Sequence, residues 1–345
     1  MKKPVSEQVI VISGASSGIG RATARAAAER GAKVVVSARN KEALLHAVAE
    51  VESLGGQALA VPGDASDLGD AETVCARAVE RFGRIDTFVA TVMVTVYAEV
   101  EQLEPDELER VMDVNFLGRY RAYRSALPHL QASRGTFVDV NSALAYRGIP
   151  LQAAYCASKA AARAFFESAR VEQERRRTGV DVCLVLPGAI NTPQFERARQ
   201  KLGLQPQPVP PIYQPELVAE AVLHCAERPE RELPVTWGAQ RLLWGQKLSP
   251  RAGDLVLLRN GWRGQTTGGP KAIGAPDNLW ETVPGDPGAH GRFDDRAKGS
   301  SAWTEARLRL GKTGSVAVFA LSAGFGVMAG VIGYHRITKR RASAL

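Results

Sequence analysis

The hydrophobic positions of this chain fall in short continuous runs, and each run is followed by a longer segment with helical periodicity. The runs are apolar throughout and do not alternate with polar residues, which is typical of strands covered on both faces, as in a parallel sheet. Repeated strand–helix units with right-handed crossovers build a doubly wound sheet. The pattern therefore predicts an α/β fold with helices on both faces of a parallel sheet.

Six strand–helix units follow one another along the chain. The predicted strands are "VIVIS", "KVVVSA", "ALAVP", "TFVA", "GTFVDVN" and "VDVCLVLP". The predicted helices lie at about residues 19–30, 41–53, 67–82, 105–128, 153–177 and 215–226. This order indicates a Rossmann-like doubly wound parallel sheet in a three-layer αβα arrangement. We assign it to residues 1–238.

The character of the sequence changes after this domain. Residues 239–312 are predicted to form an irregular Gly/Pro-rich extension, because residues 260–300 are dense in Gly, Pro and Asp. Trp262, Trp280 and Phe293 are candidates for pinning the extension to the body.

A long uncharged segment follows the extension. Residues 313–334 run 22 residues without a charge, roughly 33 Å of helix at about 1.5 Å per residue, which would span a hydrocarbon core of about 30 Å. Ser322, Gly326 and Gly330 form a row of small residues of the kind that packs membrane helices. We predict a transmembrane helix over 313–335, followed by a basic tail over 336–345. The alternative is a Gly/Ala-rich helix packed on the body or on a partner.

The net charge of +8 is concentrated at the end of the chain. Residues 301–345 hold seven basic side chains and one acidic one, so the first 300 residues carry a net charge of only +2. A nearly neutral body gives little support for nucleic-acid binding. The four cysteines are widely separated, and neither they nor the five histidines show metal-ligand spacing. We therefore expect a reduced, cytoplasmic setting and no metal.

A glycine-rich turn, "SGASSGIG", joins the first strand to the first helix. Such a tight turn needs residues that tolerate unusual backbone angles, hence Gly14, Gly18 and Gly20. The helix N-terminus beyond the turn offers free N–H groups and the positive end of the helix dipole, which suit a pyrophosphate. Because the turn lies between the first strand and the first helix of a βαβ unit, it predicts a dinucleotide-binding loop.

The end of the second strand indicates which dinucleotide. An acidic residue at this point binds the ribose hydroxyls of NAD, but here the strand ends "SARN", with Ala38 followed by Arg39. An arginine suits a 2′-phosphate, which accepts two of its N–H groups. We predict NADP(H) in preference to NAD(H); the alternative is a solvated surface arginine.

Five further motifs follow the glycine-rich turn: "GDASD", "DVNFLG", "VNSALAYRG", "YCASK" and "PGAINT". Ser142 precedes Tyr155 by thirteen residues, and Tyr155 precedes Lys159 by four. In this order and at these intervals, the motifs closely resemble those of the short-chain dehydrogenase/reductase family, over about residues 3–236. The resemblance implies an oxidoreductase that uses a nicotinamide dinucleotide, and it raises the expectation of a homodimer or homotetramer.

The resemblance also implies which residues contact the cofactor. Asp64 and Ala65 stand where the family's adenine-contacting pair lies, and "PGAINT" stands where the family contacts the nicotinamide end. Together with the glycine-rich turn and Arg39, the predicted cofactor-binding residues are Ser13, Gly14, Ser16, Ser17, Gly18, Ile19, Gly20, Arg39, Asp64, Ala65, Ala90, Tyr155, Lys159, Pro187, Gly188, Ile190 and Thr192.

The catalytic set that the resemblance implies is Asn115, Ser142, Tyr155 and Lys159. A free tyrosine has a pKa of about 10, and a neighbouring ammonium would lower that pKa and let the phenol exchange a proton with the substrate oxygen. Ser142 would polarise the same oxygen, and Asn115 would help to hold a proton-relay water. The alternatives are that Ser142 only bonds backbone and that Asn115 is a structural amide.

One stretch departs from the family pattern. After the fourth strand the family usually has Asn-Asn-Ala-Gly, whereas this chain has Ala90, Thr91, Val92 and Met93. The family's asparagine supports the central sheet, and its glycine lets the backbone approach the cofactor. The replacement favours a non-catalytic, membrane-anchored scaffold or nucleotide sensor, while the complete set of four catalytic residue types opposes that reading.

The hypothesis that best fits the sequence is an NADP(H)-dependent oxidoreductase that interconverts a secondary alcohol and a ketone. The Pro-rich segment over residues 193–215 would form a substrate lid, and a membrane tether would suit a lipophilic small-molecule substrate. The catalytic domain would then be cytoplasmic and anchored by the C-terminal helix. A dehydratase or epimerase on the same fold remains a third hypothesis, because a fold does not fix the reaction.

Overall fold

The computed structural model describes residues 2–311 together with residues 313, 314 and 316. The chain divides into two units, Met1–Ser300 and Ser301–Leu345. In the second unit, residues 302–311 are helical. The first unit contains the sheet and all the elements named below.

The strands of the first unit are β1 (Val9–Ser13), β2 (Lys33–Ala38), β3 (Gln57–Pro62), β4 (Thr87–Ala90), β5 (Val96–Tyr97), β6 (Thr136–Val140), β7 (Asp181–Pro187), β8 (Arg199–Gln200), β9 (Leu204–Pro206), β10 (Glu232–Val235) and β11 (Thr266–Pro270). The α-helices are α1 (Gly18–Glu29), α2 (Lys41–Ser53), α3 (Leu68–Phe82), α4 (Pro105–Met112), α5 (Gly118–Ser133), α6 (Ala153–Arg176), α7 (Gln194–Arg197), α8 (Glu216–Glu227), α9 (Trp237–Leu248) and α10 (Pro250–Asn260).

Seven parallel strands form the central sheet, in the order β10-β7-β6-β4-β1-β2-β3. The chain runs outward from β1 through β2 to β3 and then returns to place β4 on the other side of β1. The direction of winding therefore reverses between β1 and β4. In open α/β sheets, ligands bind in the crevice beyond the carboxyl ends of the strands at such a reversal.

Helices cover both faces of the sheet because its strands are apolar on both sides. On one face α1 packs against α2 and α8. On the other face, buried side chains of α3, α5 and α6 share one hydrophobic cluster with the strands. Phe137 in β6 lies at the centre of that cluster, stacked on Phe88 with 5.6 Å between ring centroids and 5.1 Å from the ring of Phe166.

The Rossmann-like α/β architecture with its parallel sheet is confirmed. The segment beyond residue 238 is more ordered than its composition indicated, since it contains α9, α10 and β11. The sequence did not predict α10, because its apolar residues stand in one run, Leu255–Leu258, and not at helical spacing. None of its residues is buried in the structure. Residues 271–300, in contrast, contain no helix or strand beyond a single bridge from Lys298 to Tyr213.

In the part of the chain that the structure describes, no helix is long and apolar enough to cross a membrane. The predicted transmembrane helix over 313–335 and the basic tail over 336–345 lie outside the described residues, except for residues 313, 314 and 316.

The packing of the aromatic cluster can be tested with two substitutions in one helix, α6. Phe166 in α6 has no exposed surface, so Phe166→Ala should lower the free energy of unfolding by about 3–5 kcal/mol through lost burial and the cavity it leaves. Val171, in the same helix, is 60% exposed, and Val171→Ala should cost less than about 0.5 kcal/mol. Urea unfolding followed by circular dichroism measures both, and equal losses would contradict this packing.

Candidate active site

The glycine-rich turn lies at the carboxyl end of β1, in the crevice beside β4. Gly14 has φ +90° and Gly18 has φ +56°, backbone angles that residues with a Cβ rarely adopt. A Cβ atom on Gly20 would lie 2.3 Å from the carbonyl oxygen of Gly14. The turn is therefore as tight as the sequence predicted, and it leads directly into the N-terminus of α1.

A cavity of about 180 Å³ opens beside this turn. The predicted cofactor-binding residues that line it are Ser13, Gly14, Ser16, Ser17, Gly18, Ile19, Gly20, Arg39, Asp64, Ala65 and Thr192. These residues come from four separate loops, and the fold brings them around one space, as the sequence predicted.

The remaining predicted cofactor residues do not line this cavity. They are Ala90, Tyr155, Lys159, Pro187, Gly188 and Ile190. Ala90 is the buried last residue of β4, and Pro187 is the last residue of β7. The cavity thus corresponds to the nucleotide end of the predicted site, while Tyr155 and Lys159 lie in α6 beyond it.

Ser142 begins the 3-10 turn Ala143–Ala145, which packs against α6, the helix that contains Tyr155. Burial of the phenol raises the pKa of Tyr155 to about 12, and the Ser142 hydroxyl acts on that pKa in the opposite direction. The Ser142 hydroxyl accepts the N–H of Leu144 at 3.0 Å. Ser142 therefore bonds backbone, which is the alternative considered for this residue, and its catalytic role stays a prediction.

Lys159 is 2% exposed and donates to the carbonyl oxygen of Val140 at 3.1 Å. Its Nζ lies 5.5 Å from the centre of the Tyr155 ring. Burial and repulsion from Arg119 hold the pKa of Lys159 well below its usual value, against the attraction of Asp139. Burial is the largest influence on the pKa of Tyr155 and acts against the lowering expected from Lys159.

Asn115 lies in a π-helical turn, Asp113–Leu117, between α4 and α5. Its amide accepts the N–H of Val94 at 2.8 Å and donates to the carbonyl oxygen of Val94 at 2.9 Å. It also donates to the Ser158 hydroxyl at 3.1 Å, one residue before Lys159. Asn115 thus joins the loop after β4 to the helix that contains Tyr155, which is the structural alternative considered for this amide.

The "ATVM" stretch forms its own hydrogen bonds with the site. The Thr91 hydroxyl lies within hydrogen-bond distance of two carbonyl oxygens, 2.8 Å from that of Ser13 and 3.1 Å from that of Gly14, and it can donate to either. A Cβ atom on Gly14 would lie 2.5 Å from that hydroxyl oxygen. Thr91 therefore fastens the end of β4 to the glycine-rich turn, and Met93 lines the cavity without closing it.

Arg119 also holds the backbone of the "ATVM" stretch in place. It is 1% exposed, pairs with the fully buried Asp139, and donates to the carbonyl oxygens of Ala90 and Val92 at 2.9 and 2.8 Å. Asn141 donates to the other oxygen of Asp139 at 2.8 Å and to the carbonyl oxygen of Lys159 at 3.2 Å. The support expected from the family's asparagine is here supplied by a buried ion pair, which sequence spacing did not reveal.

Arg39 reaches the cavity, but its partners come from the C-terminal extension. It donates to the carbonyl oxygens of Asn278 and Trp280 at 2.6 and 2.7 Å. Burial, opposed by Asp64 and assisted by Arg110, lowers its pKa. Asp64 itself accepts from Arg110 at 3.1 Å. Arg39 is therefore not a solvated surface residue.

The lining suits the phosphates of a dinucleotide. The glycine-rich turn offers backbone N–H groups with no Cβ in the way, and Arg39 adds a cation at the end of β2. Asn278, from the extension, also lines the cavity, and its buried Oδ1 has no hydrogen-bond partner. These residues fit a nicotinamide dinucleotide.

Comparison with known proteins identifies the class. The family model described as short chain dehydrogenase matches residues 8–203. An uncharacterized oxidoreductase of Bacillus subtilis, YxnA, is 38% identical over 258 residues, which are 74% of this chain and 72% of the relative. The 11-beta-hydroxysteroid dehydrogenase A of Sesamum indicum is 33% identical over 264 residues, 73% of this chain and 75% of the relative.

A solved structure gives the same result. An alcohol dehydrogenase from the archaeon Thermococcus sibiricus, complexed with 5-hydroxy-NADP, superposes with a TM-score of 0.59 at 28% identity, covering 66% of this chain and 95% of that one. The chain belongs to the short-chain dehydrogenase/reductase family. Within that family it is an oxidoreductase with a nucleotide-binding Rossmann fold.

The buried ion pair gives a stability prediction. Arg119→Met leaves Asp139 buried without its cation, and the free energy of unfolding should fall by about 3–5 kcal/mol. Arg121, two residues away in α5, pairs with the partly exposed Asp113 at 2.8 Å, and Arg121→Met should cost about 1 kcal/mol or less. Urea unfolding of the two variants tests this, and a loss for Arg119→Met no larger than that of its control would refute it.

Proposed function

We propose that this protein is an NADP(H)-dependent oxidoreductase that interconverts a secondary alcohol and a ketone, with Tyr155, Ser142, Lys159 and Asn115 as its catalytic set. The observation that supports it most directly is the geometry of Tyr155 and Lys159 in helix α6, where the lysine Nζ lies 5.5 Å from the centre of the phenol ring, next to the turn that Ser142 begins. The lining of the cavity by the glycine-rich turn and Arg39 supports a phosphorylated dinucleotide.

A bound nicotinamide cofactor would supply or accept the hydride. The residues of this chain would move the accompanying proton. Because burial raises the pKa of Tyr155 to about 12, the phenol holds its proton at neutral pH and can donate it to a carbonyl oxygen.

Ser142 and Lys159 would orient this step. The Ser142 hydroxyl, already hydrogen-bonded near the phenol, would donate to the same carbonyl oxygen and stabilise the developing negative charge. Lys159 lies one helical turn after Tyr155 and, as the family resemblance implies, would hold the ribose next to the nicotinamide. Asn115 would help to hold a proton-relay water, while its bonds to Val94 and Ser158 keep the loop after β4 and helix α6 in register.

The alternative of a non-catalytic scaffold or nucleotide sensor rested on the "ATVM" replacement. Thr91 and Arg119 hold the backbone of that stretch beside the cavity, so the replacement is compatible with the proposal. The proposal has three further parts: a lipophilic substrate, a lid over residues 193–215 and a C-terminal membrane anchor. The lid segment contains α7, β8 and β9, and β9 pairs with β11 of the extension.

Tyr155→Phe tests the catalytic set. Loss of the phenol hydroxyl should lower kcat about a thousandfold, since a positioned proton donor contributes on that order, while the affinity for NADPH should remain within about twofold. Steady-state reduction of a ketone panel and a fluorescence titration with NADPH measure these two effects. Tyr120→Phe, in α5, removes a phenol hydroxyl outside the proposed set and serves as the control. Full turnover by the Tyr155 variant would remove Tyr155 from the mechanism.

Arg39→Ala tests the cofactor preference. Loss of the charge-assisted bonds to a 2′-phosphate should weaken NADPH binding about tenfold or more. NADH lacks that phosphate, so its affinity should change about twofold at most. Calorimetric titrations with both nucleotides provide the comparison, and Arg25→Ala, at an exposed position of α1, controls for the loss of one positive charge. Equal weakening of NADPH and NADH would contradict the assignment.

A further inference from the structure

We propose that residues 278–288 of the C-terminal extension, hereafter the strap, close over the nucleotide end of the cofactor site and must release before a dinucleotide can enter or leave. The ion pair between Arg21 and Asp286 is the latch that holds the strap closed. The inference rests on the proposed binding of NADP(H), and it adds a step of cofactor exchange that the catalytic domain alone does not contain.

The strap is bound first by the residues after β2. Arg39 donates to the carbonyl oxygens of Asn278 and Trp280. The side-chain amide of Asn40 donates to the carbonyl oxygens of Val283 and Gly285, at 3.4 and 3.2 Å. The guanidinium predicted to bind the 2′-phosphate is therefore oriented by strap backbone, so the strap and the phosphate act on the same side chain.

The opposite side of the crevice binds the same segment. Arg197, at the end of α7, donates to the carbonyl oxygens of Val283 and Pro284 at 2.9 and 3.4 Å. Val283 thus accepts hydrogen bonds from both sides of the crevice, through Asn40 and Arg197. The strap crosses the opening and does not merely lie along one of its edges.

The strap also contacts the glycine-rich turn. The N–H of Gly18, the first residue of α1, donates to the carbonyl oxygen of Gly288 at 3.1 Å. This N–H has no partner within the helix, and helix-terminal donors of this kind suit a pyrophosphate. The carbonyl of Gly288 therefore occupies a donor that belongs to the phosphate-binding end of the site.

The latch is a buried arginine with two acidic partners. Both terminal nitrogens of Arg21, which is 2% exposed, donate to the carboxylate of Asp286, and one of these bonds is 3.0 Å long. Arg21 also pairs with Glu50 of α2, through bonds of 2.9 and 3.0 Å. Removing the carboxylate of Asp286 would leave Arg21 with a partner, so the latch can be weakened without leaving a buried charge unpaired.

The cavity lies beneath the strap and is not filled by it. Asn278, Thr282, Val283 and Pro287 contribute to its lining, opposite the glycine-rich turn and Arg39. The side-chain oxygen Oδ1 of Asn278 is buried and accepts no hydrogen bond within this unit. The strap is therefore a wall of the site.

The test compares NADPH binding by the full-length chain and two variants. Asp286→Asn removes the charge of the latch. The matched control is Asp254→Asn in α10, which removes an equivalent carboxylate that pairs with Arg147 and does not line the cavity. Stopped-flow measurement of NADPH fluorescence gives the observed binding rate as a function of nucleotide concentration, and thermal unfolding checks that all three proteins are folded.

With the strap as a gate, the observed rate for the unsubstituted chain approaches a limit at high NADPH concentration, set by strap opening. Asp286→Asn should raise that limit about tenfold, the effect of losing one charge-assisted hydrogen bond. Asp254→Asn should leave it unchanged. Hydrogen exchange at the strap amides should be faster in Asp286→Asn than in the other two proteins.

Two other results are distinguishable. If all three folded proteins bind NADPH with the same linear dependence of rate on concentration, the gate is refuted and the proposed cofactor stands. If the folded, unsubstituted chain binds neither NADPH nor NADH, the proposed function fails, and the strap inference fails with it.

Discussion

The architecture of the site depends on the buried ion pair between Arg119 and Asp139. Removing both charges from water is costly, and only close geometry with further hydrogen bonds offsets that cost. Here the extra bonds come from the carbonyl oxygens of Ala90 and Val92 and from the amide of Asn141. The pair therefore joins the carboxyl ends of β4 and β6, and through Asn141 it joins helix α6 at Lys159. The same guanidinium also influences the protonation of Tyr155 and Lys159.

The elements that the sequence predicted well are those with a local signal. The six predicted strands appear because each is a continuous apolar run, and the glycine-rich turn appears because its backbone angles demand glycine at Gly14 and Gly18. The positions of Ser142 and Tyr155 followed from motif spacing within a resemblance, and the turn that Ser142 begins packs against the helix that contains Tyr155.

The features that the sequence did not predict depend on distant partners. Arg119 and Asp139 stand in different elements and are charged, so nothing in the local pattern marks them as buried. The ligands of Arg39 are backbone carbonyls of Asn278 and Trp280, and every residue has a backbone carbonyl. The rise in the pKa of Tyr155 follows from burial, which spacing along a helix does not report.

The burial of three tyrosines makes the stability of the fold depend on pH. Desolvation raises the pKa of Tyr123, Tyr146 and Tyr155 to about 12, whereas a tyrosine in an unfolded chain has a pKa of about 10. Below pH 10 these phenols are neutral in both states, and their contribution to stability is fully present. Between about pH 10 and 12 the unfolded chain releases protons that the folded chain retains, so that contribution is lost as the pH rises. Alkali thus destabilises the fold by removing protons, which these three phenols bind more tightly in the folded chain than in the unfolded chain.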